Sequence, residues 1–212
     1  MLRSVLVLLL LFTFTGPALA GEKTVQAMEA RYQGLCFSAR FHQISVLSAM
    51  NISEKAEGRV IFAHPGRMRW EYETPEPRLI LTDGTTLWIH SPLEKEVLTG
   101  AAEPYFGKGK GGRFLSDMSS LREDFTYTRI SEPGIRPVRI RFLPNNPEPG
   151  LTELFIEAEE STGLITGIET VNAYGDVTRI RFFGEEHHTG CKEAMFHFVI
   201  PEGNRQFELG EP

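Results

Sequence analysis

Histidines near the C-terminus are the side chains of this sequence best suited to binding a metal ion. His187 and His188 are adjacent, and His197 follows a short way along the chain. Imidazole is a common zinc ligand. Neighbouring side chains on a strand point to opposite faces, however, and no second spaced pair of ligands accompanies these histidines. We therefore interpret them as solvated loop residues and expect neither a metal nor another cofactor.

A glycine-lysine run, Gly-Lys-Gly-Lys-Gly-Gly at residues 107–112, is similar in composition to a phosphate-binding loop. It lacks the Gly-Lys-Ser/Thr ending with which such a loop binds phosphate and magnesium, so we expect a flexible loop. The sequence also has no Gly-x-Ser-x-Gly elbow to present a nucleophilic serine. Neither motif of an active site is therefore complete in this sequence, and we expect that the protein is not an enzyme.

The first residues have the pattern of a secretory signal peptide. A basic start, Met1–Arg3, precedes the apolar run Val5–Phe14 and the small-x-small pattern Ala18–Ala20. We place the cleavage site after Ala20, so that 1–20 is the signal peptide and 21–212 forms a single domain. The apolar run is shorter than the roughly 20 residues that span a bilayer, and no cysteine stands at the cleavage site to carry a lipid. We expect an exported chain without a membrane anchor.

Export bears on the two cysteines, Cys36 and Cys191. In an oxidising compartment a lone pair of thiols typically forms a disulfide, which here would join the start of the fold to its end. The alternative is two separate buried thiols. The formal net charge of −6 makes nucleic acid or an anionic membrane surface a poor partner, and we expect no nucleic acid.

Most of the remaining sequence alternates as strands do. In the segment 67–73, Met68, Trp70 and Tyr72 share one face, while arginines and glutamates occupy the other. Similar runs, separated by Pro-Gly, Asp-Gly, Thr-Gly and Gly-Asp turns, predict about 10 to 11 strands in an antiparallel meander. Such a meander curls into a barrel or a strongly bent sheet. The predicted strands continue to the segment 194–200 near the C-terminus.

Two segments instead have helical spacing. Val25, Met28 and Tyr32 predict an amphipathic helix over 22–35. The second segment follows the glycine-lysine run and carries a set of apolar residues that we expect to form a lid: Phe114, Leu115, Met118 and Leu121.

The apolar sides of the strands predict a concave surface that something must fill. We expect this surface to be a cavity plugged in part by the lid. The residues assigned to the cavity are Val60, Phe62, Met68, Trp70, Tyr72, Leu79, Leu81, Ile140 and Phe142.

Strand and turn residues along nearly the whole mature chain resemble a known family, the outer-membrane lipoprotein carrier proteins called LolA. The order and spacing of these residues carry the resemblance, since each motif alone is weak. The matching residues are Phe37-Ser38-Ala39, Phe41, Gln43, Gly58, Pro65 to Tyr72, Pro75, Pro77, Asp83-Gly84, Leu87-Trp88-Ile89, Pro92, Gly175-Asp176, Ile180 and Phe182, with Phe196, Phe198, Pro201 and Gly203 as the family's C-terminal strand.

The resemblance implies a mainly β fold, an unclosed and strongly curved antiparallel barrel with a helical lid over an apolar cavity. It implies a soluble periplasmic carrier that takes acylated lipoproteins from an ATP-driven, ABC-type exporter of the inner membrane. The carrier would deliver them to the outer membrane, where an acceptor is a possible partner. The alternative is a periplasmic lipid-binding or sensing module of the same fold, with a different amphiphile or a protein ligand.

One position departs from the family pattern. Members often carry an arginine before the proline of the turn that precedes the Trp70 strand, and that arginine is thought to hold the lid closed. Here the position is His64, and Arg67 is nearby. We interpret His64 as a polar rim residue, with His64 or Arg67 as a possible replacement latch.

Overall fold

The computed structural model describes residues 18–34, 36–106, 114 and 117–210. Helices α1 (Ala18–Tyr32), α2 (Glu103–Phe106) and α3 (Ser120–Asp124) alternate with long runs of strand. The strands are β1 (Cys36–Leu47), β2 (Ile52–Ala63), β3 (Arg67–Thr74), β4 (Arg78–Thr82), β5 (Thr86–Ser91), β6 (Glu96–Ala101), β7 (Phe125–Arg129), β8 (Val138–Pro144), β9 (Glu153–Ala158), β10 (Ile165–Val171), β11 (Val177–His188) and β12 (Arg205–Glu208).

All of these strands belong to one 12-stranded sheet, in the order β12-β6-β5-β4-β3-β2-β1-β11-β10-β9-β8-β7. Neighbours are antiparallel except β12 and β6, which are parallel. Within the described residues β12 and β7 are the two edges and do not pair with each other, so the curved sheet stays unclosed. The predicted fold class is confirmed, and β6 and β12 are strands that the sequence analysis did not predict.

Tight turns fix the register of this sheet. At the β4–β5 turn, Asp83 Oδ1 accepts hydrogen bonds from the backbone N–H groups of Thr85 and Thr86, both at 2.8 Å. Gly84 has a φ of 97°, which a side chain would strain. The Asp-Gly pair therefore predicted a hairpin for a sound physical reason.

The register gives the sheet two distinct faces. One face carries Phe41, Val60 and Trp70 in neighbouring strands, and we call it the inner face. The other, which we call the outer face, carries paired charges: Glu169 accepts hydrogen bonds from Arg139 at 3.0 Å and from Arg179 at 2.6 Å. Exposed pairs of this kind contribute little to stability. Burial of the inner face therefore dominates the fold.

Helix α1 packs on the inner face at the β7–β10 end of the sheet. Val25, Met28 and Tyr32 are fully buried there in one core cluster. The predicted helix over 22–35 thus exists, although it begins at Ala18 and ends at Tyr32. Residues 1–17 and Leu35 lie outside the described residues, and the signal peptide and its cleavage site remain predictions.

The C-terminal segment corrects one predicted strand. Residues 194–200 do not form a strand: Glu193–Phe196 is a 3₁₀ helix, and the residues after it run unpaired until β12. Phe196 is 1% exposed, and the Phe198 ring lies 5.3 Å from the ring of His90 on the outer face. The segment alternates because it lies flat against a face of the sheet, not because it pairs at an edge. The run containing Phe196, Phe198, Pro201 and Gly203, which the resemblance predicted to be a C-terminal strand, is therefore not a strand in this chain.

Cys36 and Cys191 form a disulfide, with their Cα atoms 5.7 Å apart. Cys36 is the first residue of β1, and Cys191 precedes the 3₁₀ helix, so the bridge ties the C-terminal segment to the middle of the sheet.

In the part of the chain that the structure describes, no helix has the length and apolar character required to cross a bilayer.

Candidate functional site

The inner face holds a small apolar cavity between α1, the sheet and the segment after residue 113. Its volume is about 30 Å³, which is room for about one or two water molecules. The lining is almost entirely apolar and aromatic: Tyr32, Phe37, Ala39, Phe62, Phe114, Met118, Ile165, Ile168, Phe182 and Glu185. We call this space the apolar cavity.

The structure divides the predicted cavity residues into two buried clusters. Val60, Phe62, Met68 and Trp70 form one cluster, with Tyr72 partly buried against it. Ile140 and Phe142 belong to the other, together with α1. Phe37 and Phe182 pack against both clusters and join them, although the sequence analysis did not assign either to the cavity. The alternation of Phe37, Ala39 and Phe41 along β1 was the available signal.

Two predicted cavity residues lie on the wrong side of the sheet. Leu81 pairs with Arg69 and Leu79 pairs with Glu71, so both leucines share the outer face with those charged residues. Ile80, which pairs with Trp70, occupies the inner face instead. The segment 78–82 reads Arg-Leu-Ile-Leu-Thr, and three consecutive apolar residues carry no period-two signal from which to choose a face.

The predicted lid residues that the structure describes lie against the inner face. Phe114, Met118 and Leu121 are 3%, 6% and 0% exposed, within the same cluster as α1, Ile140 and Phe142. Leu115 and the glycine-lysine run 107–112 lie outside the described residues. The described part of the segment therefore fills space that the sheet would otherwise leave open.

Aromatic rings extend the site from the apolar cavity along the inner face. The Trp70 ring centroid is 5.0 Å from that of Phe41, 5.9 Å from that of Phe62 and 6.4 Å from that of Tyr72. Trp70 is 5% exposed, and its Nε1 has no hydrogen-bond partner among the described residues. A buried N–H group without a hydrogen-bond partner costs free energy. A ligand that placed an acceptor here would remove that cost and bind more tightly.

Beyond these rings the inner face becomes polar. The Tyr72 hydroxyl donates to Gln43 Oε1 at 3.0 Å, and Gln43 Nε2 donates to Ser45 Oγ at 3.0 Å. Burial raises the pKa of Tyr72 to about 12, so the hydroxyl stays neutral at physiological pH. The site thus has an apolar end at the lid and a hydrogen-bonding end at the far side of Tyr72.

A carboxylate at the edge of the apolar cavity ties α1 to β11. Glu185 accepts hydrogen bonds from Arg31 Nη2 at 2.7 Å and from the Tyr32 hydroxyl at 2.6 Å. His187 Nε2 lies 2.6 Å from the same carboxylate. Burial and the adjacent carboxylate raise the pKa of Tyr32 far above its ordinary value. No sequence motif indicated this group of contacts, because Glu185 is more than a hundred residues from Arg31 and Tyr32 in the sequence.

The two candidate latch residues lie in different places. His64 precedes Pro65 and is half-buried; burial lowers its pKa, while the Asp117 carboxylate acts in the opposite direction. Arg67 shares the outer face with Arg69, and its guanidinium stacks 5.5 Å from the Phe196 ring. Arg67 therefore cannot act as a latch on the inner face, and that assignment was wrong.

The histidines are not gathered around a common point. His188 lies 2.9 Å from the Ser38 hydroxyl and His187 contacts Glu185. Within the described residues, no group of three or more histidine, cysteine, aspartate or glutamate side chains is placed to hold a metal ion.

Known proteins resemble this chain in sequence and in fold. A family model described as outer membrane lipoprotein carrier protein LolA matches residues 35–199. An outer-membrane lipoprotein carrier protein of Azotobacter vinelandii is 24% identical over 188 residues, 88% of this chain and 89% of the relative. One of Coxiella burnetii is 31% identical over 197 residues, 91% of this chain and 90% of the relative.

A solved structure of an uncharacterized conserved protein from Thermus thermophilus shares the fold, with a TM-score of 0.58 and 10% identity over 90% of this chain and 99% of that one. The family match runs from the last residue before β1 through β11 and past the 3₁₀ helix, and so includes the strands that build the inner face. On this ground the chain belongs to the LolA family of outer-membrane lipoprotein carrier proteins.

Proposed function

We propose that this protein is a periplasmic carrier that binds the acyl chains of lipoproteins on its inner face. It would receive them from an ABC-type exporter in the inner membrane and deliver them to the outer membrane, with an acceptor there as a possible partner. The observation that carries the proposal is a continuous apolar inner face closed by the side chains of Phe114 and Met118.

The energetics of the cargo explain why a carrier is needed. Each CH₂ of an acyl chain exposed to water costs about 0.8 kcal/mol, so two or three long chains cost tens of kcal/mol. The inner face replaces water with aromatic and aliphatic side chains such as Phe37, Phe62 and Phe182. The barrier to crossing an aqueous compartment falls without any bond being made or broken.

The closed cavity explains how the cargo can be released again. A volume of about 30 Å³ cannot hold an acyl chain, so loading must displace Phe114 and Met118 from the apolar cavity. Cargo contacts then replace lid contacts instead of adding to them. The net free energy of binding is smaller than the buried area suggests, which permits transfer onward.

A pair of adjacent phenylalanines offers a matched test of this proposal. Phe182 lines the apolar cavity, whereas Phe183 is 41% exposed and pairs with Arg40 on the outer face. The mature protein should release lipoproteins from inner-membrane vesicles that contain the exporter. Phe182→Asn should lower the released amount severalfold, because it places an amide where an acyl chain would lie.

Phe183→Asn is the control and should release lipoproteins as the parent protein does. Melting curves of both variants establish that they are folded. Equal release by the two folded variants would show that the inner face does not bind the acyl chains. Release that the parent protein itself fails to produce would remove the carrier function.

A further inference from the structure

The inner face changes from apolar to polar along the direction of its strands. On β1 the inward residues run from Phe37 and Phe41 to Gln43 and Ser45. On β11 the same direction leads from Phe182 to Thr178, which pairs with Ser45. The apolar end and the hydrogen-bonding end are therefore opposite ends of one surface.

The polar end opens into a cleft of about 560 Å³, far larger than the apolar cavity. Its neutral walls include the side chains of Gln43, Ser45 and Tyr72, and its rim lies where β2 begins and where β3 turns into β4. We call this space the polar cleft. Its size suits a short stretch of peptide and not a single ion.

Charges of both signs line the polar cleft. Glu54, which pairs with Ser45, and Glu76 supply two carboxylates, and Arg78, which pairs with Tyr72, supplies a cation. None of these three side chains forms an ion pair with the residues that the structure describes, in contrast to the paired charges of the outer face. The Arg78 guanidinium is close enough to the Tyr72 hydroxyl to lower its pKa against the effect of burial.

Trp70 connects the two spaces. Its ring lies between Phe62, which lines the apolar cavity, and Tyr72, which lines the polar cleft. Its unpartnered Nε1–H is the polar group found where an amphiphile would change from acyl chain to head group. An ester or amide carbonyl at that junction is the acceptor that such a donor requires.

We infer that the polar cleft binds the peptide portion of an acylated lipoprotein, the first polar residues that follow the acylated cysteine. The inference rests on the proposed carrier function and assigns a direction to the cargo. A peptide presents N–H donors, C=O acceptors and side chains of either charge, which matches walls that combine amide, hydroxyl, carboxylate and guanidinium groups. A phospholipid phosphate would instead favour a lining with excess positive charge.

The test separates the head group from the chains. Three ligands are titrated against the protein: a tripalmitoylated cysteinyl peptide with a short serine-lysine tail, an uncharged pyrenyl alkane, and phosphatidylglycerol dispersed below its vesicle-forming concentration. The variant combines Gln43→Ala with Arg78→Ala, and the control is Arg59→Ala, which removes an exposed arginine from the outer face. A single Arg78→Ala variant covers the case in which loss of Gln43 impairs folding.

The double variant should bind the lipopeptide about tenfold more weakly, as expected for the loss of hydrogen bonds that include a charged one. Its affinity for the alkane should stay within about twofold of the parent value, and the Arg59→Ala control should match the parent for every ligand. Unchanged lipopeptide affinity overturns the inference, and so does an equal loss for alkane and lipopeptide. A loss for phosphatidylglycerol as large as that for the lipopeptide overturns the assignment to peptide. If the parent protein binds no acylated ligand, the carrier function itself fails, which is a distinct result.

Discussion

Trp70 is the residue whose surroundings most directly indicate a ligand site. Its indole N–H is buried inside the sheet without a partner among the described residues, and an unsatisfied buried donor costs about 1–3 kcal/mol. Four aromatic rings, those of Phe41, Phe62, Tyr72 and Phe182, surround it, so the protein itself holds the side chain in place. Binding at the inner face should therefore be visible in the environment of this one side chain.

Intrinsic fluorescence tests this, since Trp88 is the other tryptophan and lies on the outer face, paired with Leu81. In a Trp88→Phe protein, a saturating lipopeptide should shift the emission of Trp70. In a Trp70→Phe protein, the same titration should leave the emission of Trp88 unchanged. An unchanged spectrum of Trp70, with binding established by mass spectrometry, would exclude this residue from the site.

Protonation of His64 should make the stability of the protein depend on pH. Burial lowers its pKa below the ordinary value of 6.5, so the unfolded chain binds a proton more readily than the folded one. Stability from this group is complete above about pH 6.5 and falls as pH drops toward the folded pKa, with no further loss below it. Between pH 7 and pH 5 the melting temperature of the parent protein should fall more than that of His64→Gln. Parallel curves for the two proteins would show that His64 does not contribute.

At the scale of elements, α1 is held against the sheet by a close approach at the β9–β10 turn. Gly163 has a φ of 67°, and a Cβ placed on it would lie 2.2 Å from the carbonyl oxygen of Ala27 in the middle of α1. Gly163→Ala should therefore push the helix away and lower the free energy of unfolding by about 2–4 kcal/mol, measured by urea denaturation.

Gly134→Ala is the matched control for this variant. Gly134 has a φ of 88° but nothing within 4 Å of an added Cβ, so it reports the backbone strain alone, about 1 kcal/mol. Similar losses at both positions would mean that contact with α1 contributes nothing beyond strain.

Substitutions in the lid and in the rest of the core should both lower stability, but they should have different effects on the affinity for cargo. Met118→Ala should lower the stability of the protein by about 2 kcal/mol or more and raise its affinity for a lipopeptide, because the cargo displaces fewer contacts. Leu81→Ala, a fully buried site on the outer face, should lower stability without raising affinity. Reduced affinity in Met118→Ala would show that the methionine is part of the cargo site and not a plug.

Predictability at this scale depended on how clearly a segment alternates. The Trp70 strand mixes charged and apolar residues, so its face was read from the sequence, whereas Leu79 and Leu81 sit in an unbroken apolar run and were assigned to the wrong face. The C-terminal segment does alternate, and it misled, because an extended chain lying on a sheet has the same pattern as a strand within it. Glu185 was missed because its partners meet only through long-range packing.

For the whole molecule, the disulfide and the unclosed sheet have complementary effects. The bridge links residues separated by 155 positions, which in the chain-entropy model stabilises the fold by up to about 4–5 kcal/mol. It fastens the C-terminal segment to the outer face, whereas the lid residues Phe114 and Met118 pack on the inner face. The fold can therefore be stable overall while the lid side of the inner face opens. The sequence alone predicted the class of fold, since turn chemistry and alternation are local, but not the order in which twelve strands meet.

The central claim is that the inner face carries acylated protein, and native mass spectrometry of the mature protein purified from its own periplasm tests it most directly. The carrier account predicts a fraction whose added mass is that of a triacylated lipoprotein, and that fraction should be severalfold smaller in the folded Phe182→Asn variant. Purified protein that carries only a free phospholipid, or no ligand at all under conditions that keep lipoproteins bound to a control carrier, would contradict it.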